Sequence, residues 1–276
     1  MRAWTTGLLS FALVVGCGSK HGAESEAALR RDDLPRVRTW LLEDGVKHQK
    51  GVVAAAERLA AKKATALDEA AVRKALQALR RPPRGVGELV SSPLSFMALT
   101  DAQGRVLARD SVPDRMKGQD FAQRFPSVAQ SLKEAKAKSA IAEFAGERGE
   151  KASYSWLFSA PVMEEGRPQG AFVLGIPLWR LAQRLSRQLQ LEHAKDTGLI
   201  VWAYVYKGDV LYHHGTPPEL DKVLPRAAVR SRALQSKPRK AGGHFELYGR
   251  DYAWHLLPTP WIAPDMGLLL VRSNPS

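Results

Sequence analysis

Cysteine is nearly absent from this chain: Cys17 is the single one among 276 residues. One thiol closes no disulfide within the chain, so whatever folds here rests on its own core. Past Cys17, no apolar run reaches the roughly 20 residues that a spanning helix needs. A Gly-x-Ser-x-Gly elbow is missing, and no glycine loop leads into a helix in the way that cradles phosphate. Acidic side chains are few, 28 Asp and Glu against 41 Lys and Arg. Two acidic pairs, Asp32-Asp33 and Glu164-Glu165, fall in a polar lead-in and a turn, where nothing buried shifts a carboxyl toward acid or base work. His213 and His214 are adjacent and point to opposite faces of an extended segment. With His244 and His255 they lack the cysteine or close carboxylate that would complete a zinc set. The sequence reads as a binding protein, not an enzyme, with no cofactor and no metal.

What the chain does have begins at its start. Met1-Arg2 leads into a short apolar run that ends in Leu13-Val14-Val15-Gly16 and then Cys17. The run is of signal-peptide length and too short to span a bilayer. Gly16-Cys17 resembles the lipobox of bacterial lipoproteins. The resemblance implies that residues 1–16 are a cleaved signal peptide and that Cys17 becomes a lipidated N-terminus. At about 0.8 kcal/mol per buried methylene, two or three acyl chains hold a protein on a bilayer almost permanently. Gly18 is not the aspartate that retains many lipoproteins at the inner membrane, so the expected location is the outer membrane, facing the periplasm. Residues 17–33 are polar and rich in small side chains and read as a tether.

The formal net charge is +13. In a cytosolic protein such a balance suggests nucleic acid; export sets that partner aside. Anionic headgroups, acidic envelope polymer or carboxylate ligands fit better, beside a basic surface that is merely solvated. Lys222, Arg226 and Arg230 recur every four residues on an expected helix from 219 to 236, making a basic stripe opposite Leu220, Leu224 and Leu234, with Lys237, Arg239 and Lys240 close behind.

Beyond the tether, residues 34–84 are helical by their three- and four-residue spacing, through Val37, Leu41, Val52, Ala56 and Leu59, with Gly45 and Gly51 as candidate breaks. Asp68 caps a second helix with Val72, Ala75, Leu76 and Leu79 on one face, ended by Arg80-Arg81-Pro82-Pro83. From Gly85 the period becomes extended. Residues 95–99 and 105–108 form a hairpin about Asp101-Ala102-Gln103-Gly104. A helix over 121–138 follows, then strands at 140–144, 154–162 and 170–176. Residues 178–194 form a leucine-faced bridging helix, and hairpin, helix and hairpin then recur over 196–276. Trp202, Tyr204 and Tyr206 alternate on the first of these strands and read as core. The fold class is α+β: a long N-terminal helix, then two units at 85–195 and 196–276, each a small antiparallel sheet with helices on one side.

The stretch Leu99-Thr100-Asp101-Ala102-Gln103-Gly104-Arg105-Val106-Leu107, the segment Gly118-Gln119-Asp120-Phe121-Ala122-Gln123-Arg124, and the closing strands through Ala160-Pro161-Val162 and Gly170-Ala171-Phe172-Val173-Leu174 resemble the Cache family of PAS-like extracellular sensor domains. Similarity covers roughly residues 34 to 195, and the second unit matches in element order. The resemblance implies a small ligand enclosed between the sheet and its covering helices. Arg124, with Asp120, matches the segment whose arginine clamps a ligand carboxylate in amino-acid-binding members. Pro126 stands where an aromatic is expected, and Gly175 where an acid would hold an α-amino group, which turns the expectation from amino acids toward a plain carboxylate. Tyr154 and Trp156, two apart on a strand, are candidate pocket walls. The expected function is therefore an envelope lipoprotein that binds a small ligand and acts through a protein partner. The alternative is an assembly lipoprotein docking envelope proteins or anionic polymer through Lys222, Arg226 and Arg230.

Overall fold

The computed structural model describes residues 20–81, 85–89, 95–144, 152–236 and 241–274. Cys17 with its signal segment, the Pro82-Pro83 stop, and Lys237, Arg239 and Lys240 lie outside the described residues.

Helix α1 (Lys20–Ala28), a π-helical turn (Leu29–Asp33) and α2 (Leu34–Ala61) follow one another without a break. At 1.5 Å per residue the run is about 60 Å long. Over residues 20–33 this corrects the reading as a tether, since Leu29 is fully buried and so are Ser25 and Asp33. The polar residues bury because each finds a partner in the last strand or near the bridging helix. Ser25 Oγ accepts from the Asn274 amide at 3.2 Å, and Asp33 accepts from Arg272 Nη1 at 2.9 Å while meeting His193 Nε2 at 2.8 Å. Composition carries no trace of partners so far along the chain. Gly45 and Gly51 stay helical, each for a close approach. A Cβ on Gly45 would stand 3.4 Å from the Trp156 ring, and one on Gly51 would stand 3.0 Å from the Glu88 backbone. Helix α3 (Glu69–Leu79) starts where Asp68 accepts from the Ala71 amide at 2.8 Å, and it buries the expected Val72, Ala75, Leu76 and Leu79.

The first unit contains β1 (Phe96–Thr100), β2 (Val106–Arg109), α4 (Phe121–Arg124), α5 (Pro126–Glu134), β3 (Lys138–Phe144), β4 (Ser153–Glu164) and β5 (Arg167–Pro177). Its strands order as β2-β1-β5-β4-β3, all antiparallel. The β1–β2 turn works as its residues suggest. Asp101 Oδ1 accepts from the Gln103 and Arg105 amides at 3.0 and 2.8 Å, and Gly104 adopts φ +83. The helix expected over 121–138 is two helices, because Pro126 forces Phe125 to be extended and Ala135 turns left-handed at φ 51.

Helix α6 (Leu178–Glu192) leaves β5 directly and buries Leu178, Leu181, Ala182, Leu185 and Leu189. It leads to β6 (Ile200–Lys207), β7 (Val210–Tyr212), α7 (Pro218–Val223), α8 (Ala227–Ser236), β8 (Gly242–Leu247), β9 (Arg250–Pro258) and β10 (Met266–Ser273). The second sheet orders as β7-β6-β10-β9-β8, the same winding as the first. The first sheet turns one face toward α2 and the second toward α1, the π-helical turn and α6, and one continuous core runs from Leu29 through Met97, Trp156 and Leu185 to Leu268. The opposite face of each sheet has a smaller core of its own, with Tyr204 and Tyr206 in that of the second unit.

Candidate functional site

The four residues expected to bind ligand do not converge. Side chains alternate across a strand, so Trp156 faces α2 and its neighbour Leu157 faces α4 and α5. Tyr154 lies on the Trp156 side, its hydroxyl donating to Glu143 Oε2 at 2.8 Å, an interaction that raises its pKa. Asp120 and Arg124 belong to the other side. Asp120 is the cap of α4, accepting from the Gln123 amide at 2.8 Å. Arg124 is exposed, donates to Gln119 Oε1 at 3.0 Å, and lies over the rings of Phe125 and Phe144 at 5.3 and 5.4 Å.

The space between the sheet and α4–α5 is filled by hydrocarbon. Phe121 and Phe125 pack edge to face with ring centres 5.0 Å apart, and Val128, Leu157 and Val173 close around them. Gly175 explains why no acid stands at that position: a Cβ there would come within 2.1 Å of the Phe96 ring, which occupies the place.

The basic stripe also comes apart. Pro225 lacks an N–H and holds Leu224 extended, so the helix expected over 219–236 divides into α7 and α8. Lys222 and Arg226 are exposed, while Arg230 is 3% exposed. Its guanidinium donates to the carbonyls of Pro225, Gly208 and Asp209 at 2.9, 3.0 and 3.1 Å and lies 5.5 Å from the Tyr206 ring centre. Burial lowers its pKa and raises that of the Tyr206 hydroxyl to about 12. Arg230 is a bracket inside the second unit, not part of an outer surface.

The histidines have separate partners. His213 meets Asp221 at 2.9 Å, His244 meets Glu26 at 2.8 Å, and buried His255 donates from Nδ1 to the Leu256 carbonyl at 3.0 Å. Among the described residues no three His, Cys, Asp or Glu side chains gather to hold a metal ion.

A cavity of about 740 Å³ opens elsewhere, at the junction of the two units. Its floor is α6, its walls include His48 of α2, Trp156 of β4 and Trp202 of β6, and His214, just after β7, stands at its rim. Ser186 fixes α6 to the second sheet, donating to the Ala203 carbonyl at 3.0 Å and accepting from the Ala203 amide at 2.9 Å. The apolar side of α6 faces the core, so its flank turns Arg180, Arg184 and Arg187 into the cavity at steps of four and three. Arg184 pairs with Asp44 of α2, and burial lowers its pKa. His214 Nδ1 meets Gln183 Nε2 at 2.6 Å, and its ring lies 5.2 Å from Trp179. Of the expected ligand residues, Trp156 alone lines this cavity. The arginines were visible in the sequence as a basic flank on an amphipathic helix, a pattern that an ordinary solvated face also shows.

The long first helix and the shared winding of two like units are the architecture of Cache-type sensory domains. The chain has the fold of these domains, and solved structures share it over nearly its whole length. The ligand-binding domain of the Campylobacter jejuni chemoreceptor Tlp3 in complex with 4-methylisoleucine superposes with a TM-score of 0.54 at 14% identity, covering 91% of each chain. The same domain in complex with L-norvaline gives 0.55 at 14% identity over 91% of each chain. The sensor domain of the V. cholerae histidine kinase DctB gives 0.53 at 14% identity, covering 92% of this chain and 99% of that one. No family model matches the sequence, and no curated protein is significantly similar to it.

Proposed function

We propose that this protein is an extracytoplasmic sensory domain, held to a membrane by lipid on Cys17, that encloses a small ligand between its two units and reports occupancy to a separate envelope protein. The observation that carries this reading is the junction cavity. It is of the size that holds drug-like ligands, and elements of both units and the long helix bound it. A ligand there touches both units, so it stabilises one relative placement of the units over others by the difference in contacts it makes. The likeness to chemoreceptor and histidine-kinase sensor domains supports a sensing role. The filled space under α4 and α5 directs the ligand to the junction. The Gly16-Cys17 lipobox and the residue after it, Gly18, support attachment by acyl chains to the outer membrane, facing the periplasm.

The test is a thermal-shift screen of the chain from residue 18 onward against organic acids, amino acids, purines and polyamines. A ligand at 100 times its Kd adds about 2.7 kcal/mol, a shift of several degrees for a chain of this size. The expected hit keeps its shift in Arg124→Ala and loses it in Trp202→Ala. A hit with the opposite pattern would return the site to the α4 face. Labelling with radioactive palmitate, abolished by Cys17→Ser, checks the anchor.

A further inference from the structure

We infer that the junction cavity is built for an amphipathic organic anion, a ring-bearing body with a carboxylate- or sulfonate-like head. This rests on the reading of the cavity as the ligand site and deepens it by naming the ligand's chemistry. Three observations carry it.

The first is charge. Arg180, Arg184 and Arg187 line the cavity, and its lining contains no Asp or Glu. Asp44, a carboxylate beside this set, is engaged by Arg184. Arg187, exposed at the mouth, has no carboxylate partner among the described residues. Like charges one turn apart on a helix disfavour each other, and a bound anion relieves that repulsion. A planar guanidinium offers a carboxylate or sulfonate two parallel hydrogen bonds.

The second is the wall. Trp156 and Ile176 from the first unit, Leu181 beside the arginines on α6, and Trp202 near the start of β6 form the apolar part of the lining. A head group alone leaves that surface against water, whereas a ring covers it and gains aromatic contact. The third is size. A cavity of about 740 Å³ lies in the range that takes a drug-sized molecule, more than a single amino acid fills. Arg184, fixed by Asp44, acts as a positioning residue that keeps the flank in register, and Arg187 is the anion's partner at the mouth.

A matched pair of fluorescent probes tests the inference on the chain from residue 18 onward, which retains every described residue. Anilinonaphthalene sulfonate carries the ring body with an anionic head, and N-phenylnaphthylamine carries the body alone. The expected result is that the sulfonate binds at least about tenfold tighter. Arg187→Gln should remove most of that preference, and Arg187→Glu should reverse it, because charge-assisted hydrogen bonds contribute roughly this much. Salt should weaken the sulfonate and leave the neutral probe unchanged. Trp202→Ala should weaken both probes alike, and His214→Trp, a rim position, should block both without touching the core. Equal binding of the two probes, unaffected by the Arg187 variants yet lost in His214→Trp, overturns the anion and leaves the cavity as the ligand site. Binding indifferent to both Trp202→Ala and His214→Trp overturns the cavity reading as well.

Discussion

The two units wind their strands in the same order and differ in how they close the face turned away from the long helix. In the first, rings do it: Phe96, Phe121 and Phe125 meet Val128, Leu157 and Val173. In the second, the cover includes tyrosines, and the guanidinium of Arg230 ties α8 to the carbonyls around the β6–β7 turn. The inner faces both pack on the helical spine, the first with apolar side chains and the second with the buried Arg272–Asp33 pair and His255 beside its apolar ones. A common winding therefore sets the spine side, and the outer side is free to be solved by packing or by polar bracing. The junction between the units is a place that neither solution has closed.

Breaking the first cover should have the larger effect. Phe121 is fully buried, and Phe121→Ala removes a ring from a close-packed cluster and leaves a cavity. Loss of about 3–5 kcal/mol is expected, read as a lowered denaturation midpoint with unchanged slope. Breaking the second cover comes next. Arg230→Ala leaves three carbonyls without their donor and should cost about 2–3 kcal/mol. Arg230→Lys should restore less than half, because one ammonium does not reproduce a fork that reaches both α7–α8 and the β6–β7 turn. A solvated arginine on a docking stripe would cost within about 0.5 kcal/mol, so the measurement separates the two roles cleanly.

Acid should act more gently, through a histidine on the second unit's inner face. Burial lowers the pKa of His255 from the ordinary 6.5, and its Nδ1–H donates to the Leu256 carbonyl in the neutral form. The folded state then binds fewer protons than the unfolded chain once pH falls below about 6.5. Its contribution is thus present above that pH and is lost as pH falls. Melting temperatures followed from pH 7.5 down to about 5 should decline, and His255→Leu should flatten the part of the decline that this residue causes. An unchanged slope would assign the acid sensitivity to other groups.

Local chemistry made much of this fold legible. Asp101 with Gly104, Asp68 before α3, and the alternation of Trp202, Tyr204 and Tyr206 each act within a few residues, and each is found where the sequence places it. The helix break at Pro225 was equally local, but the basic and leucine periodicity running through it hid the interruption. What sequence did not show is pairing across the chain. Asp33, Ser25 and Leu29 bury only because Arg272, Asn274 and the inner faces of the sheets return to meet them. The junction site is illegible for the same reason. Its arginines come from α6, its walls from α2, β4 and β6, and no spacing rule joins residues 48, 156, 187 and 202.

The smallest expected effect sharpens the comparison most. Arg124 sits on the closed side of the first unit, exposed, with Gln119 and two phenylalanine rings as its contacts. An exposed cation over aromatic rings contributes about 0.5–1 kcal/mol, and solvent screens most of it. Arg124→Ala should therefore lower stability by no more than about 0.5 kcal/mol and leave ligand affinity at the junction unchanged. Arg187→Gln, equally exposed, should change stability as little but weaken the anion probe. Two surface arginines of the same kind are then told apart by the face they serve, one over a space filled with rings and the other at the mouth of an open one. A loss of ligand binding in Arg124→Ala would mean that the phenylalanine cover opens in solution, and that the first unit's closed face is the sensing face after all.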